Sequence, residues 1–371
     1  MGENNGKKIL NIGTGGCGNK LLNSFYNSLE TYDEGLTNIY DGVFINSNKR
    51  EMEEQSYYKE SKNSLLISGG GTSRNTSIAK QNIKDDKIAF TNYFYNKVSD
   101  VDAVNIFTSA DGGFGCGSTS VIAAFIRDMV SNSVAVNIIA AMPKINSKRK
   151  SLENACEFHV NIQKLLKADI INSVMYINNN QMKNETVFNK NITDIILKSY
   201  ELYGGQVDES DMLYVNATKG YKLSLYLDSK FRKLSGSIDN ALNNCPFIIP
   251  PDFIKDDKGE FVYPVQCLNI GATLNIDEYD KELLGTLINP ISLDKIDYGK
   301  SNFIVAGGFN LPTYYVELLK DKISEKEQQE TSLLEDEKEF IFNRNDNIVR
   351  EEIPNEKDKL KKMKNFNLWL D

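Results

Sequence analysis

Short unbroken apolar runs recur through the first half of the chain: Ile9-Leu10-Asn11-Ile12, Gly42-Val43-Phe44-Ile45, Ala103-Val104-Asn105-Ile106-Phe107, Val134-Ala135-Val136-Asn137-Ile138-Ile139 and Val174-Met175-Tyr176-Ile177. Runs without polar alternation predict strands buried on both faces of a sheet. Leu21 to Leu29, Ser118 to Val130 and Leu152 to Leu166 instead carry their apolar residues at helical spacing. Strand and helix in alternation predict an α/β fold with a mostly parallel sheet and a ligand at the C-terminal ends of its strands.

The rhythm then changes. A helix predicted from Asp194 to Leu202 leads into a polar loop, Gly204 to Asp211. Only Pro143 precedes Cys245, whereas Pro246, Pro250, Pro251, Pro264, Pro290, Pro312 and Pro354 follow it. Strands are expected at Phe261 to Leu268, Ile270 to Ile276 and Asn302 to Ala306, with a helix at Glu278 to Leu287, which makes an α+β region. After Pro312, Thr313 is a plausible N-cap for a long helix that turns acidic through Glu339. The chain ends in a lysine-rich stretch, Lys357 to Lys364, followed by Phe366, Leu368, Trp369 and Leu370. No internal repeat is present.

Composition narrows the function classes. With 371 residues, 40% of them hydrophobic, the chain has enough apolar surface for two cores. Its 43 Lys+Arg against 51 Asp+Glu leave a formal charge of −8, which argues against broad adhesion to nucleic acid or anionic lipid. The five cysteines are widely spaced and form no C-x-x-C pair, and no apolar run is long enough to span a bilayer. A reduced, cytoplasmic protein with no membrane partner is expected. The single histidine, His159, is expected to be a packed or surface residue, and no G-x-S-x-G elbow offers a hydrolase triad.

The chemistry lies in the glycines. Gly13-Thr14-Gly15-Gly16-Cys17-Gly18-Asn19 follows a predicted strand and precedes a helix, a place where backbone N–H groups and a helix N-terminus receive phosphate. Alone it fits any nucleotide fold or a tight turn. A dinucleotide site wants an acid after the second strand, where this chain has Asn46-Ser47-Asn48. A second glycine loop, Asp111-Gly112-Gly113-Phe114-Gly115-Cys116-Gly117, again joins strand to helix, and a third, Gly69-Gly70-Gly71-Thr72-Ser73-Arg74, brings a cation for a distal phosphate. Neither a Walker motif nor a kinase H-R-D set occurs. Cys17 and Cys116 are expected to be small-residue choices, since no base can be named beside them.

These residues resemble the tubulin and FtsZ superfamily of GTPases, and within it the plasmid- and phage-borne TubZ group. The tubulin signature G-G-G-T-G-[ST]-G corresponds to Asp111–Gly117, with Asp111 in place of the first glycine and Phe114 in place of threonine. The resemblance implies a Rossmann-like parallel-sheet GTP-binding domain over 1–188 and a central helix with catalytic loop over 189–211. A smaller α+β activation domain over 212–311, a long C-terminal helix over 312–339 and a tail over 340–371 complete the tubulin/FtsZ fold. It further implies that Gly15, Gly16, Cys17, Gly18 and Asn19 form the first phosphate loop, Asn46 and Asn48 the loop after the second strand, and Gly71, Thr72 and Arg74 a γ-phosphate sensor. Asp111, Gly112, Gly113, Phe114, Gly115, Cys116 and Gly117 become the second phosphate loop. Pro143 resembles the start of a sugar-contacting loop, in which Ser147 stands for the usual glutamate and Lys148 and Arg149 are the nearest basic residues. Asn179 resembles the base-contacting asparagine. Asp194 resembles the acid that accepts from guanine N1 and N2, and also reads as an ordinary helix carboxylate.

Gln206-Val207-Asp208-Glu209-Ser210-Asp211 is similar to the family's N-x-D-x-x-D catalytic loop, with Gln206 replacing asparagine. There Asp208 and Asp211 would polarise the attacking water in the site of the next subunit; as residues they also fit a helix cap. GTP/GDP and Mg²⁺ are the implied cofactors, with no metal ligand assigned. Implied partners are other copies of the chain, through longitudinal filament contacts, and a DNA-binding adaptor on a centromere-like DNA, met by the C-terminal tail. The implied role is polymer turnover for plasmid or phage DNA segregation. A cell-division or phage-centring relative, and a nucleotide-binding module that does not hydrolyse, are the alternatives.

Overall fold

The computed structural model describes residues 7–32, 39–201, 207–275, 281–299 and 301–345. The described residues to Ile323 form one compact unit, and those from Ser324 form another. The first part alternates β1 (Ile9–Thr14), α1 (Gly15–Tyr32), β2 (Tyr40–Asn46), α2 (Lys49–Glu53), β3 (Ser64–Leu66), α3 (Thr76–Asp85), α4 (Lys87–Phe94) and β4 (Ala103–Ser109). It continues with α5 (Phe114–Met129), β5 (Ala135–Met142), α6 (Arg149–Lys167), β6 (Ser173–Asn178) and α7 (Glu185–Tyr200). Then come α8 (Glu209–Asn216), β7 (Gly220–Tyr226), α9 (Leu234–Asn243), β8 (Val265–Leu274), α10 (Lys281–Leu287), β9 (Ile288–Tyr298), β10 (Phe303–Phe309) and α11 (Thr313–Asn345).

One ten-stranded sheet runs β3-β2-β1-β4-β5-β6-β7-β10-β8-β9. From β3 to β7 all neighbours are parallel, whereas β10 is antiparallel to both β7 and β8. This is the expected α/β class with a mostly parallel sheet. The two halves meet at β6 and β7, where only Ser173↔Gly220 and Val174↔Tyr221 are in register. The inner strands are apolar because helices cover both faces, and β1, β4 and β5 are buried along their whole length.

A row of polar side chains crosses this apolar centre. Asn11, Asn105, Asn137 and Ser173 sit opposite one another on β1, β4, β5 and β6. Asn105 Nδ2 donates to Asn11 Oδ1 at 3.0 Å, Asn137 Nδ2 to Asn105 Oδ1 at 3.3 Å, and Ser173 Oγ to Asn137 Oδ1 at 2.8 Å. Tyr200 Oη, from α7, donates to Asn105 Oδ1 at 2.8 Å.

Several elements depart from the pattern-based expectation. The two strands expected at Phe261 to Leu268 and Ile270 to Ile276 are a single strand, β8, because the polar Asn269 between them is buried and donates to Thr218 Oγ1 at 2.8 Å. The helix expected from Asp194 begins at Glu185, where the Asn184 side chain accepts from the Val187 N–H. Strand β7 has no unbroken apolar run because it alternates Tyr221, Leu223 and Leu225 with Lys222 and Ser224, all of them buried. Of the helix expected over Glu278 to Leu287, residues 278–280 lie outside the described residues, as does the tail from 346. No described helix is long and apolar enough to cross a membrane.

Candidate functional site

Strands β1 and β4 lie side by side and both end in glycine loops at the same edge of the sheet, so the loops are brought together by topology alone. They pack so closely that a Cβ on Gly15, whose φ is +70°, would lie 2.8 Å from the Gly115 backbone N. A Cβ on Gly113 would lie 2.2 Å from Thr72 Oγ1, which ties the third glycine loop to the second. Between the loops is a cavity of about 370 Å³. Gly15, Gly16 and Cys17 line one wall, Asp111, Gly112, Gly113, Phe114 and Gly115 another. Gly71, Thr72 and Arg74 close a third side, and Asn46 and Asn48 a fourth.

Polar side chains hold this cradle in shape. Glu51, in the first turn of α2, accepts from Asn46 Nδ2 on Oε2 at 2.8 Å and from Asn48 Nδ2 on Oε1 at 3.1 Å, and it also lines the cavity. Asn154 on α6 directs Nδ2 at three carbonyls, those of Arg74 at 3.1 Å and of Asp111 and Gly112 at 3.3 Å. Arg74 is hydrogen-bonded to Ser151 of the same helix. Burial pushes the Asp111 carboxyl above its usual range, with Arg74 opposing. The Cys17 thiol is pushed up to about 12, by burial first and then by Asp111 and Glu185, so it is an inert small side chain.

Other expected residues lie elsewhere. Asn19 is fully buried beneath the first loop, its amide without a partner among the described residues. Cys116 and Gly117 are in the first turn of α5 and buried, the Cys116 Sγ 3.6 Å from the Asn154 carbonyl oxygen. Asn179 opens a short 3-10 helix after β6. Asp194 points to its own helix, paired with Lys190 at 2.9 Å. His159 is buried on α6 with Nδ1 3.1 Å from Tyr176 Oη, and burial pulls it down to about 4.

Asp208 and Asp211 open α8 as a reciprocal cap: Asp208 Oδ1 accepts the Asp211 N–H at 2.9 Å, and Asp211 Oδ2 accepts the Asp208 N–H at 3.2 Å. Gln206 is outside the described residues. Ser210, Leu213 and Tyr214 share a cavity of about 290 Å³ with Val101, Asp102, Val134 and Ala135, at the N-terminal ends of β4 and β5. The glycine loops occupy the C-terminal ends. The 6 residues of β1 alone span roughly 20 Å at about 3.3 Å each, so these aspartates cannot reach a phosphate in their own chain's cradle.

Two phosphate-type loops on one sheet, with paired carboxylates at the opposite edge, invite comparison with known proteins. The model of the Tubulin/FtsZ family, GTPase domain, matches residues 8–186. The chain has the tubulin/FtsZ fold. A tubulin-like protein CetZ of Pyrococcus abyssi is 26% identical over 182 residues, which are 47% of this chain and 46% of that one. The match thus spans about half the length of that curated relative. TubZ of Clostridium botulinum phage c-st, with its C-terminal tail truncated, superposes with a TM-score of 0.72 at 19% identity, covering 88% of this chain and 99% of that one. A GTPγS-form protofilament of Bacillus thuringiensis serovar israelensis TubZ gives a TM-score of 0.71 at 17% identity, covering 90% and 96%.

Within this tubulin/FtsZ fold a second, separate groove, not expected from the sequence pattern, lies further along α1. Cys17 and Glu51 line the first cavity; Lys20 and Gln55, one turn further on α1 and just past α2, line a space of about 210 Å³ with Asn23, Glu185 and Asn189. Lys20 Nζ lies 2.9 Å from Glu185 Oε1. The first turns of α7, rather than Asp194, therefore face this groove.

Proposed function

We propose that the chain is a filament-forming GTPase whose site is completed by a second copy. The observation that carries this reading is the separation of the glycine cradle from Asp208 and Asp211 by the depth of the sheet, which demands two copies for the carboxylates to meet a phosphate. The Bacillus thuringiensis relative, a GTPγS-form protofilament, supports both the nucleotide and the self-association.

In this reading the loop N–H groups of Gly15 to Cys17 and Gly112 to Gly115 hold the phosphates, and Arg74 faces the distal one. Asp111 and Glu51, the acidic side chains lining the cradle, are the residues that would hold Mg²⁺. Magnesium held there would supply charge that neutralises the phosphates. The base occupies the groove between α1 and α7. Glu185 accepts from guanine N1 and N2, and Asn189 adds a second contact. Asp208 of the incoming copy orients and polarises water in line with the γ-phosphate.

Turnover of the resulting polymer would serve plasmid or phage DNA segregation in the cytoplasm, with a DNA-binding adaptor met by the tail; this part rests on the resemblance to the TubZ group. A second reading, a nucleotide-binding module without hydrolysis, is favoured by one observation: the reciprocal cap already accounts for both aspartates. Phosphate release from GTP and Mg²⁺, measured against protein concentration with light scattering on the same samples, separates them. A shared threshold is expected. Release proportional to protein without scattering indicates a self-contained site, and scattering or binding without release indicates the module.

A further inference from the structure

We infer that Lys295, on β9, is a positioning residue for the hydrolytic loop, acting through Asp211 on Asp208; the inference rests on the hydrolytic reading of that loop. Lys295 Nζ lies 3.0 Å from Asp211 Oδ1. Since Asp211 Oδ2 accepts the Asp208 N–H and the Asp211 N–H donates to Asp208 Oδ1, Asp211 is held on both oxygens. Asp208 is exposed, and its Oδ2 has no partner among the described residues. The two carboxylates are thus unequal: Asp211 is the fixed support, and Asp208 presents the open oxygen.

The fold builds this contact. Lys295 lies opposite Gly271 of β8, and the missing side chain leaves room for Met212 and Val215 of α8 to press on the sheet. A Cβ at Gly271 would come within 3.1 Å of Met212 Cε. That close seat brings Asp211, the neighbour of Met212, within reach of β9. Partial burial alone pushes the Asp211 carboxyl up, but Lys295 and the Asp208 N–H outweigh it and hold the group below its usual range. Ion pairs this exposed contribute little to stability. The pair's consequence is therefore geometric, and small displacements of an acting group are costly to rate.

The test uses the full chain and compares Lys295→Met, Lys295→Arg, Asp211→Asn and the Lys295→Met/Asp211→Asn double variant. The first readout is the carboxyl ¹³C titration of Asp211, assigned by its loss in Asp211→Asn; it is expected to move up in Lys295→Met and to stay low in Lys295→Arg. The second is phosphate release at saturating GTP in assembled protein. Lys295→Met is expected to slow release by on the order of tenfold or more with monomer GTP affinity unchanged, Lys295→Arg to restore it, and the double variant to be no slower than Asp211→Asn alone. Unchanged release in Lys295→Met, or effects that multiply in the double variant, overturns the role alone. An Asp211 titration indifferent to Lys295 does the same. Wild-type protein that assembles without releasing phosphate overturns the hydrolytic reading, and this role with it.

Discussion

The glycine cradle and the Asp208–Asp211 cap are built from opposite materials. The cradle is backbone: its walls are glycines whose missing side chains let three loops touch, and its shape follows from strands that end at one edge of the sheet. The cap is side chain: two carboxylates, a lysine on a neighbouring strand and a polar underpinning. At the end of α8, Asn216 Nδ2 donates to the Ser199 and Met212 carbonyls at 2.8 Å, and buried Lys222 Nζ donates to Asn216 Oδ1 at 2.9 Å. A backbone-built site fails by steric intrusion, whereas a side-chain-built site fails by loss of one group or one charge.

Gly15→Val should show the largest effect. It forces a β-branched residue into positive φ and against the Gly115 N, destabilising the chain by about 3 kcal/mol or more and abolishing nucleotide binding. Urea unfolding and titration with a fluorescent GTP analogue check both. Asp208→Asn should leave stability within about 0.5 kcal/mol, because asparagine caps a helix as well as aspartate, yet slow phosphate release on the order of 10²–10³-fold in assembled protein. An unchanged rate would remove Asp208 from the chemistry and leave it only a cap.

Lys222 sharpens the contrast through pH. Burial pulls it down to about 7 from 10.5, so between those values the unfolded chain keeps a proton that the folded chain has released. Stability should therefore rise by a few kcal/mol from about pH 7 to 10.5, the penalty being complete below 7. In Lys222→Met that rise should vanish; melting temperatures of both proteins across this range decide it. The smallest effect concerns the groove. Asn189→Ala should weaken GTP binding by about 1 kcal/mol, roughly fivefold, while Asp194→Ala should not, as measured by calorimetry. The reverse order would return the base contact to Asp194.

The fold was legible where packing dictates residue type. Strands β1, β2, β4, β5 and β6 are covered on both faces and read as apolar runs, and the glycine loops read as strand-to-helix turns too tight for a Cβ. Strand β7 was not legible, because a buried lysine satisfied by an asparagine looks in sequence like a solvated one. Glu51, Asn154, Glu185 and Asn189 were missed for a related reason. Each sits on a helix at spacing that any surface face would show, and only the rotation of that helix against its neighbours brings it to a cavity or a loop. Asp194, to which the family resemblance gives a base contact, is paired with Lys190 of its own helix.

The asparagine row across the sheet has a consequence for how the molecule comes to be right. Strands buried on both faces carry little alternation, so a neighbour shifted by one or two residues would bury nearly as much apolar surface. With Asn11, Asn105, Asn137 and Ser173 in line, any such slip strands several amides without partners in the core, each at a cost of about 1–3 kcal/mol. Tyr200 joins the row only when α7 has docked in its proper place. The ladder is thus a proofreading device, one that rejects near-miss sheets and ties the acceptance of the correct one to the arrival of α7.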